Sequence, residues 1–250
     1  MFFRIMLTLP QKQGFFVNPS FTHRVFSILS LWISWLISSV LNCAYVAEKK
    51  MNKDILMLPS FEHLQKTVRR YYAIDEASMQ ALMACCKVTN IGKGVTLYDI
   101  GQTPTYFAFL HKGLMRAFLL DEEGNEYNKN FFDEGRFPGC MSALLQQKPS
   151  RIAIQALEPC ELVEIDFQKF RTALFTHPDL MRFHIHYLEK HWLLEKEPKE
   201  ISYLEHEAKD RYQAFLTDFS AIAPRLPQYH IASYLGITPT QLSRIRKQIY

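Results

Sequence analysis

Three textures follow one another along the chain. Over residues 62–87, Leu64, Val68, Tyr71 and Tyr72, then Met79, Leu82 and Met83, recur at helical spacing. Asp75 reads as the N-cap of the second piece, with Ser78 in its first turn. From residue 88 to 166 the pattern changes to short β-rich runs at 88–91, 95–98, 106–111, 114–120 and 127–132. Turn signals separate them: Gly92-Lys93-Gly94, Asp99-Ile100-Gly101, Lys112-Gly113 and the hairpin loop Asp121-Glu122-Glu123-Gly124-Asn125. A short helix near 142–146 and runs at 152–157 and 162–166 complete the stretch. About eight strands so spaced predict a small barrel or jelly roll.

Beyond residue 167 the helical period returns. Met181, Ile185, Leu188 and Trp192 fall on one stripe, widened by Leu180, Tyr187 and Leu194, and predict a single long helix over about 179–197. So broad an apolar face needs a partner. A two-fold mate is the economical one, and the alternative is packing on the chain's own β-domain. Pro198 is expected to end or kink this helix. A further amphipathic helix, with Tyr212, Phe215, Leu216 and Phe219 on one face, then runs to Phe219. The expected fold is α+β: a double-stranded β-roll (jelly roll) with its helical lead-in at 51–178, a long dimerisation helix at 179–198, and a helical domain at 199–250.

The end of the chain carries the most specific pattern. Residues 227–249 read PQYHIASYLGITPTQLSRIRKQI. Ile231, Ala232 and Leu235 supply the inner face of a first helix, and Gly236 permits the left-handed backbone that ends it. Ile237 buries in the turn. Thr238 is an N-cap, with Pro239 at the first helical position, where its missing N–H costs nothing. Leu242 and Ile245 then face inward, while Thr240, Gln241, Ser243, Arg244 and Lys247 face out. A DNA-reading helix-turn-helix needs this combination of an anchored apolar side and polar side chains near the N-terminal end. Arg244 can donate two hydrogen bonds to a guanine, and Gln241 can pair with an adenine. Arg246 and Lys247, further along, suit phosphates. The competing interpretation is an ordinary helical hairpin with a solvated polar face.

Composition changes this picture little. The chain is 48% hydrophobic and 22% charged, as soluble globular proteins are, and its net charge of +4 is too mild to diagnose a nucleic-acid binder. The distribution says more, because Arg225, Arg244, Arg246 and Lys247 lie in a final stretch without Asp or Glu. The five cysteines (Cys43, Cys85, Cys86, Cys140 and Cys160) are odd in number and form no C-x-x-C pair. They argue against a disulfide framework and a Cys-rich metal site, and for reduced cytosolic thiols.

Residues 1–50 stand apart. Residues 26–46 carry no charge and are long enough to span a bilayer. Basic residues flank the run on both sides, so orientation is undecided. Either the segment tethers the protein to a membrane, or Met51 opens the protein and 1–50 is upstream sequence read from an early start.

A β-roll, a long helix and a C-terminal helix-turn-helix together resemble the Crp/Fnr family of bacterial regulators. The resemblance covers residues 51–250, and RLPQYHIASYLGITPTQLSRIRK is especially similar to the Bacteroidetes branch. It implies a cyclic-nucleotide-binding-like roll and a cytoplasmic parallel homodimer. It further implies a palindromic duplex operator and RNA polymerase as a further partner. DNA would be read by Thr238, Thr240, Gln241, Ser243, Arg244, Arg246 and Lys247, and the dimer would form through Met181, Ile185, Leu188 and Trp192.

The sequence departs from the family where nucleotide would bind. Members that hold cyclic nucleotide carry Gly-Glu-Leu and, some ten residues on, Arg-Ser or Arg-Thr. Here Cys140 stands where the Glu would lie, in Phe137-Pro138-Gly139-Cys140-Met141-Ser142, and Pro149 stands in the Arg slot. Arg151 is then either a displaced phosphate ligand or a surface arginine. The candidate effector pocket is Cys140, Met141, Ser150 and Arg151, with no cyclic AMP, cofactor, metal or catalytic residue expected. The rival from another class is a β-roll enzyme. It requires His and Glu clustered on adjacent strands, and the strand region offers His111 alone; His184 and His186, two apart on a helix, are poor joint ligands.

Overall fold

A computed structural model describes residues 58–249, which lie within one compact unit, Leu56–Tyr250. The apolar run at 26–46 and Cys43 fall outside the described residues. Among those described, no helix is long and apolar enough to cross a membrane.

The lead-in is two helices, α1 (Pro59–Tyr71) and α2 (Glu76–Met83). Asp75 caps α2, its carboxylate accepting from the Ser78 amide at 2.7 Å. Seven strands follow in the described residues: β1 (Cys86–Ile91), β2 (Thr96–Tyr98), β3 (Tyr106–Lys112), β4 (Met115–Leu120), β5 (Glu126–Phe132), β6 (Ala153–Ala156) and β7 (Cys160–Asp166). Helix α3 (Met141–Gln146) interrupts them. They pair antiparallel in two sheets, β1-β7-β3 and β2-β6-β4-β5. The hairpin loop between β4 and β5 closes on Asp121, whose carboxylate accepts from the amides of Glu123 and Asn125 at 2.9 and 2.8 Å.

The sheets form the middle of a layered structure, which explains why several strands are apolar on both faces. On β3, Ala108 and Leu110 point into the space between the sheets, with Met115, Ala117, Ile154 and Leu162. Their neighbours Phe107 and Phe109 point outward, where α1, α2 and two later helices cover them. The opposite sheet repeats the pattern. Phe132 faces the inter-sheet core, whereas Phe131 and Leu114 face the C-terminal helices. Gly113 makes the tight turn between β3 and β4. Its φ is +111°, and a Cβ there would meet Cys160 Sγ and the Pro159 carbonyl at 2.7 Å.

Helices α4 (Phe167–Thr176) and α5 (Pro178–Leu188) close the roll. The structure corrects the expectation of one long helix over 179–197. Helix α5 stops at Leu188, a π-helical turn occupies Glu189–Leu194, and α6 (Glu197–Glu205) begins anew. The physical reason lies in the side chains that reach back to the roll. Tyr71 Oη and His191 Nε2 are 2.6 Å apart, His191 Nδ1 lies 2.7 Å from Glu195, and Glu195 also accepts from Arg136 at 2.9 Å. Burial alone would raise the Glu195 carboxyl, but hydrogen bonds from His191 and Arg136 outweigh it and hold it down at about 2. These contacts fall within or beside the π-helical turn, a local widening of the helix. Pro198 lies in the first turn of α6, just past the interruption at Glu195 and Lys196, near where the helix was expected to end or kink. The amphipathic helix expected to run from there to Phe219 is two pieces, α6 and α7 (Ala208–Asp218).

Candidate nucleic-acid interface

The last two described helices are α8 (Gln228–Leu235) and α9 (Pro239–Ile249). Ile231, Ala232, Leu235, Leu242 and Ile245 are buried together with Tyr212 and Phe215 of α7, in an apolar core that Leu114 and Phe131 of the roll also enter. Gly236 ends α8 at φ +67°, which a side chain would strain. The Thr238 hydroxyl accepts from the Gln241 amide at 3.1 Å, and Pro239 takes the first position of α9. Leu242 and Ile245 point in, as a helical period with two inward residues requires. The seven sequence-predicted DNA residues, Thr238, Thr240, Gln241, Ser243, Arg244, Arg246 and Lys247, are all exposed. They surround the buried edge of Leu242 and Ile245 and include three cations and no acid.

Arg225, the fourth cation of the basic tail, is spent elsewhere. Its guanidinium donates to Glu158 at 2.6 and 3.0 Å and to Glu134 at 3.1 Å. Hydrogen bonds to Glu158 and Glu134 raise its pKa further, so this charge is tied to the roll instead of facing a partner.

Where α8 meets β4 and β5, a buried polar group joins the two parts. Arg116 on β4 donates to Gln155 at 2.7 and 2.9 Å, to Glu126 at 2.5 Å and to Asn128 at 3.2 Å. His230 Nδ1 lies 3.3 Å from Arg116 and 3.2 Å from the Asn128 amide nitrogen. Burial lowers the His230 pKa to about 4, with the Arg116 charge adding to the effect, so the ring is a neutral acceptor at ordinary pH. None of these residues stood out in the sequence, although an arginine within the apolar run of β4 was a visible signal. Beside this group runs a cleft of about 490 Å³, lined on one side by Asn125 and Tyr127 of the hairpin and on the other by Tyr229, Gly236, Thr238 and Gln241.

The predicted effector residues differ in burial and in what their polar atoms already bind. Cys140 is buried, and its amide is bound by the Tyr98 hydroxyl, itself buried. Met141 opens α3 and is half-buried. Ser150 is buried and donates to the Ile152 carbonyl at 2.6 Å, while Arg151 is exposed. At the position where a cyclic phosphate would need free amides and a guanidinium, the amide is taken and the guanidinium faces solvent. These residues do not fit the group.

Of the proposed dimer residues, Ile185 and Trp192 are exposed at 44% and 38%, and Met181 and Leu188 are half-buried. A second face of α5, Leu180, Phe183 and Tyr187, is buried on the chain's own lead-in, with Tyr71 against Tyr187 at 5.4 Å. The helix therefore has two apolar faces, one of them uncovered. His111 is not alone either. His63 of α1 places its Nδ1 3.1 Å from that of His111, across 48 residues of sequence. No three potential metal ligands cluster among the described residues.

This architecture defines a class. Residues 88–177 match the cyclic nucleotide-binding domain family, so the chain carries that domain on an α+β frame. The cAMP-activated global transcriptional regulators CRP of Pasteurella multocida and Salmonella typhimurium are 27% and 23% identical over 107 and 106 residues. Each match covers 42% of this chain and 51% or 50% of the relative, so the chain is homologous to Crp/Fnr-type regulators over about half their length. Among solved structures, the c-di-GMP responsive regulator CLP of Xanthomonas campestris has a TM-score of 0.57 at 18% identity, covering 70% of this chain and 91% of that one. FixK2 of Bradyrhizobium japonicum has a TM-score of 0.55 at 18% identity, covering 66% and 84%. Both coverages exceed the share of this chain that the roll alone makes up.

Proposed function

We propose that this protein is a cytoplasmic transcription regulator, not an enzyme, that reads duplex DNA through residues 238–247. The observation that carries the reading is α9 itself: capped by Thr238, anchored by Leu242 and Ile245, and exposing Gln241, Arg244, Arg246 and Lys247 without an acidic neighbour. Gln241 and Arg244 sit near the helix start, where side chains reach base edges in the major groove. Arg246 and Lys247 supply phosphate contacts.

The active form is a homodimer on a palindromic operator. The uncovered apolar face of α5 and the π-helical turn, from Met181 through Ile185 and Leu188 to Trp192, is the surface that a second copy would cover. The roll does not take cyclic nucleotide, because Cys140 and Pro149 replace the expected contacts and Arg151 points to solvent. Its effector belongs to another chemical class, and RNA polymerase is the partner through which regulation would act.

Selection of bound sequences from random duplexes with the full chain tests this. Recovery of a two-fold-symmetric site is the expected outcome. Failure to enrich any sequence at moderate salt, with or without cell extract, would overturn the reading.

A further inference from the structure

We infer that the polar group around Arg116, with the Arg225 ion pairs, is a clasp that fixes the orientation of the reading helix on the β-roll. The inference rests on the DNA-reading role proposed above and assigns Arg116, Asn128, His230 and Arg225 to it as positioning residues.

The joint between roll and helix-turn-helix has two chemically distinct parts. One is an apolar pad in which Leu114 and Phe131 of the roll meet Phe215, Phe219 and Tyr234, with Phe131 and Tyr234 at 5.4 Å. Apolar contact is non-directional and tolerates sliding and rotation. The other part is directional. Arg116 is only 4% exposed, and its planar guanidinium is held at once by β6 through Gln155, by β5 through Glu126 and Asn128, and by α8 through His230. Asn128 then donates from its side chain to the His230 carbonyl at 3.1 Å and from its backbone to Ser233 Oγ at 2.9 Å. Ser233 returns a bond to the Glu126 carbonyl at 2.7 Å. One turn of α8 is thereby registered against one pair of β5 residues.

Arg225 repeats the arrangement at the other end of the joint, forking onto Glu158 and Glu134 of the roll. Two separated multidentate contacts fix a rotation that one could not. Ion pairs of this kind cost desolvation and add little net stability, but they penalise every other orientation, because a displaced group is left buried and unpaired. The reading residues stay exposed while the clasp is closed. The clasped state is thus one in which the exposed residues of α9 are held in a single orientation.

In a dimer, aim is read as half-site spacing. Inserting two base pairs rotates one half-site by about 70° around the duplex axis, which a fixed reading head cannot follow and a loose one can. The test uses the full chain, its selected operator and the same half-sites moved apart or together by one and two base pairs. The wild type should prefer one spacing by on the order of tenfold or more, equivalent to about 1.4 kcal/mol. Arg225→Gln, in a partly exposed side chain, and Arg116→Gln should bring the spacings to within about threefold of each other. The salt dependence, set by the phosphate contacts, should stay unchanged. The double exchange Arg225→Glu with Glu158→Arg should restore part of the preference. Retention of the full spacing preference in both single variants would overturn the clasp, as would equal weakening at every spacing. Should Arg116→Gln fail to fold, Arg225→Gln carries the test. A second measurement needs no DNA. Distance distributions between genetically encoded spin labels at exposed Lys87 and Gln248 should be narrow in the wild type and broad in the Arg225 variant. Unchanged width overturns the clasp, whereas narrow-to-broad behaviour without any DNA binding would sink the DNA-reading role and leave the clasp standing.

Discussion

The Thr238 hydroxyl accepts a hydrogen bond from the Gln241 backbone amide at 3.1 Å, so Thr238 caps the first turn of α9. Removing the hydroxyl leaves an amide at the helix start without its partner. Thr238→Ala should therefore cost about 0.5–2 kcal/mol of local stability. Hydrogen exchange should show faster exchange at Gln241 with little change in the roll, and operator affinity should fall. Unaltered exchange at that amide would remove the cap from the account.

Arg244 and Lys247 lie on the same exposed face but should behave differently. Arg244→Ala should cost about 1–3 kcal/mol on the operator and relax the preference at one base pair per half-site. Lys247→Ala should weaken all sequences uniformly and lower the salt slope by about 1. Competition binding against single-base operator variants at several salt concentrations separates the two. Identical profiles would reverse the assignment of base and phosphate contacts.

Ile185→Glu and Trp192→Glu place a charge on the uncovered apolar face while leaving the buried residues Leu180, Phe183 and Tyr187 untouched. Sedimentation should show a shift from dimer to monomer with little change in thermal midpoint. Operator binding should fall with it. A variant that remains dimeric would move the interface elsewhere.

Stability should decline as the solution is acidified from near neutrality. Burial, aided by Arg171 for His184 and by Arg116 for His230, lowers both imidazoles from 6.5 to about 4. The unfolded chain then binds more protons between those values, so the loss runs from pH 6.5 down to about 4 and then levels for these two groups. Glu195, depressed from 4.5 to about 2, adds a separate loss below pH 4.5. Denaturant midpoints against pH should show both limbs, and His184→Gln should reduce the upper one to the share of His230 while leaving the lower one unchanged.

Calorimetric titration with cyclic AMP should give no saturable heat, because the Cys140 amide is bound by Tyr98 and Arg151 faces solvent. Micromolar binding would restore the roll as a nucleotide sensor.

Much of the fold was legible because its signals are local. The strand runs, the Asp75 and Thr238 caps, the Gly236 terminator and the inward pair Leu242 and Ile245 each follow from backbone preferences within a few residues. The long helix was misjudged for the opposite reason. The stripe from Met181 to Trp192 is real in the sequence, but the helix has a π turn there, and the partners of His191 and Glu195 in it, Tyr71 and Arg136, lie 120 and 59 positions away.

The same division holds for the interface. The sequence by itself determined that a capped, basic, acid-free helix ends this chain, since capping and helical period depend only on neighbours. It also put Cys140 and Pro149 where the family resemblance implies a carboxylate and an arginine. Only the tertiary structure decided that Arg225 is consumed by Glu134 and Glu158, that His230 is buried neutral beside Arg116, and that His63 meets His111. These are pairings across sheets and between the roll and the reading head. Their energies depend on distance and burial, which the order of residues leaves open until the chain has closed.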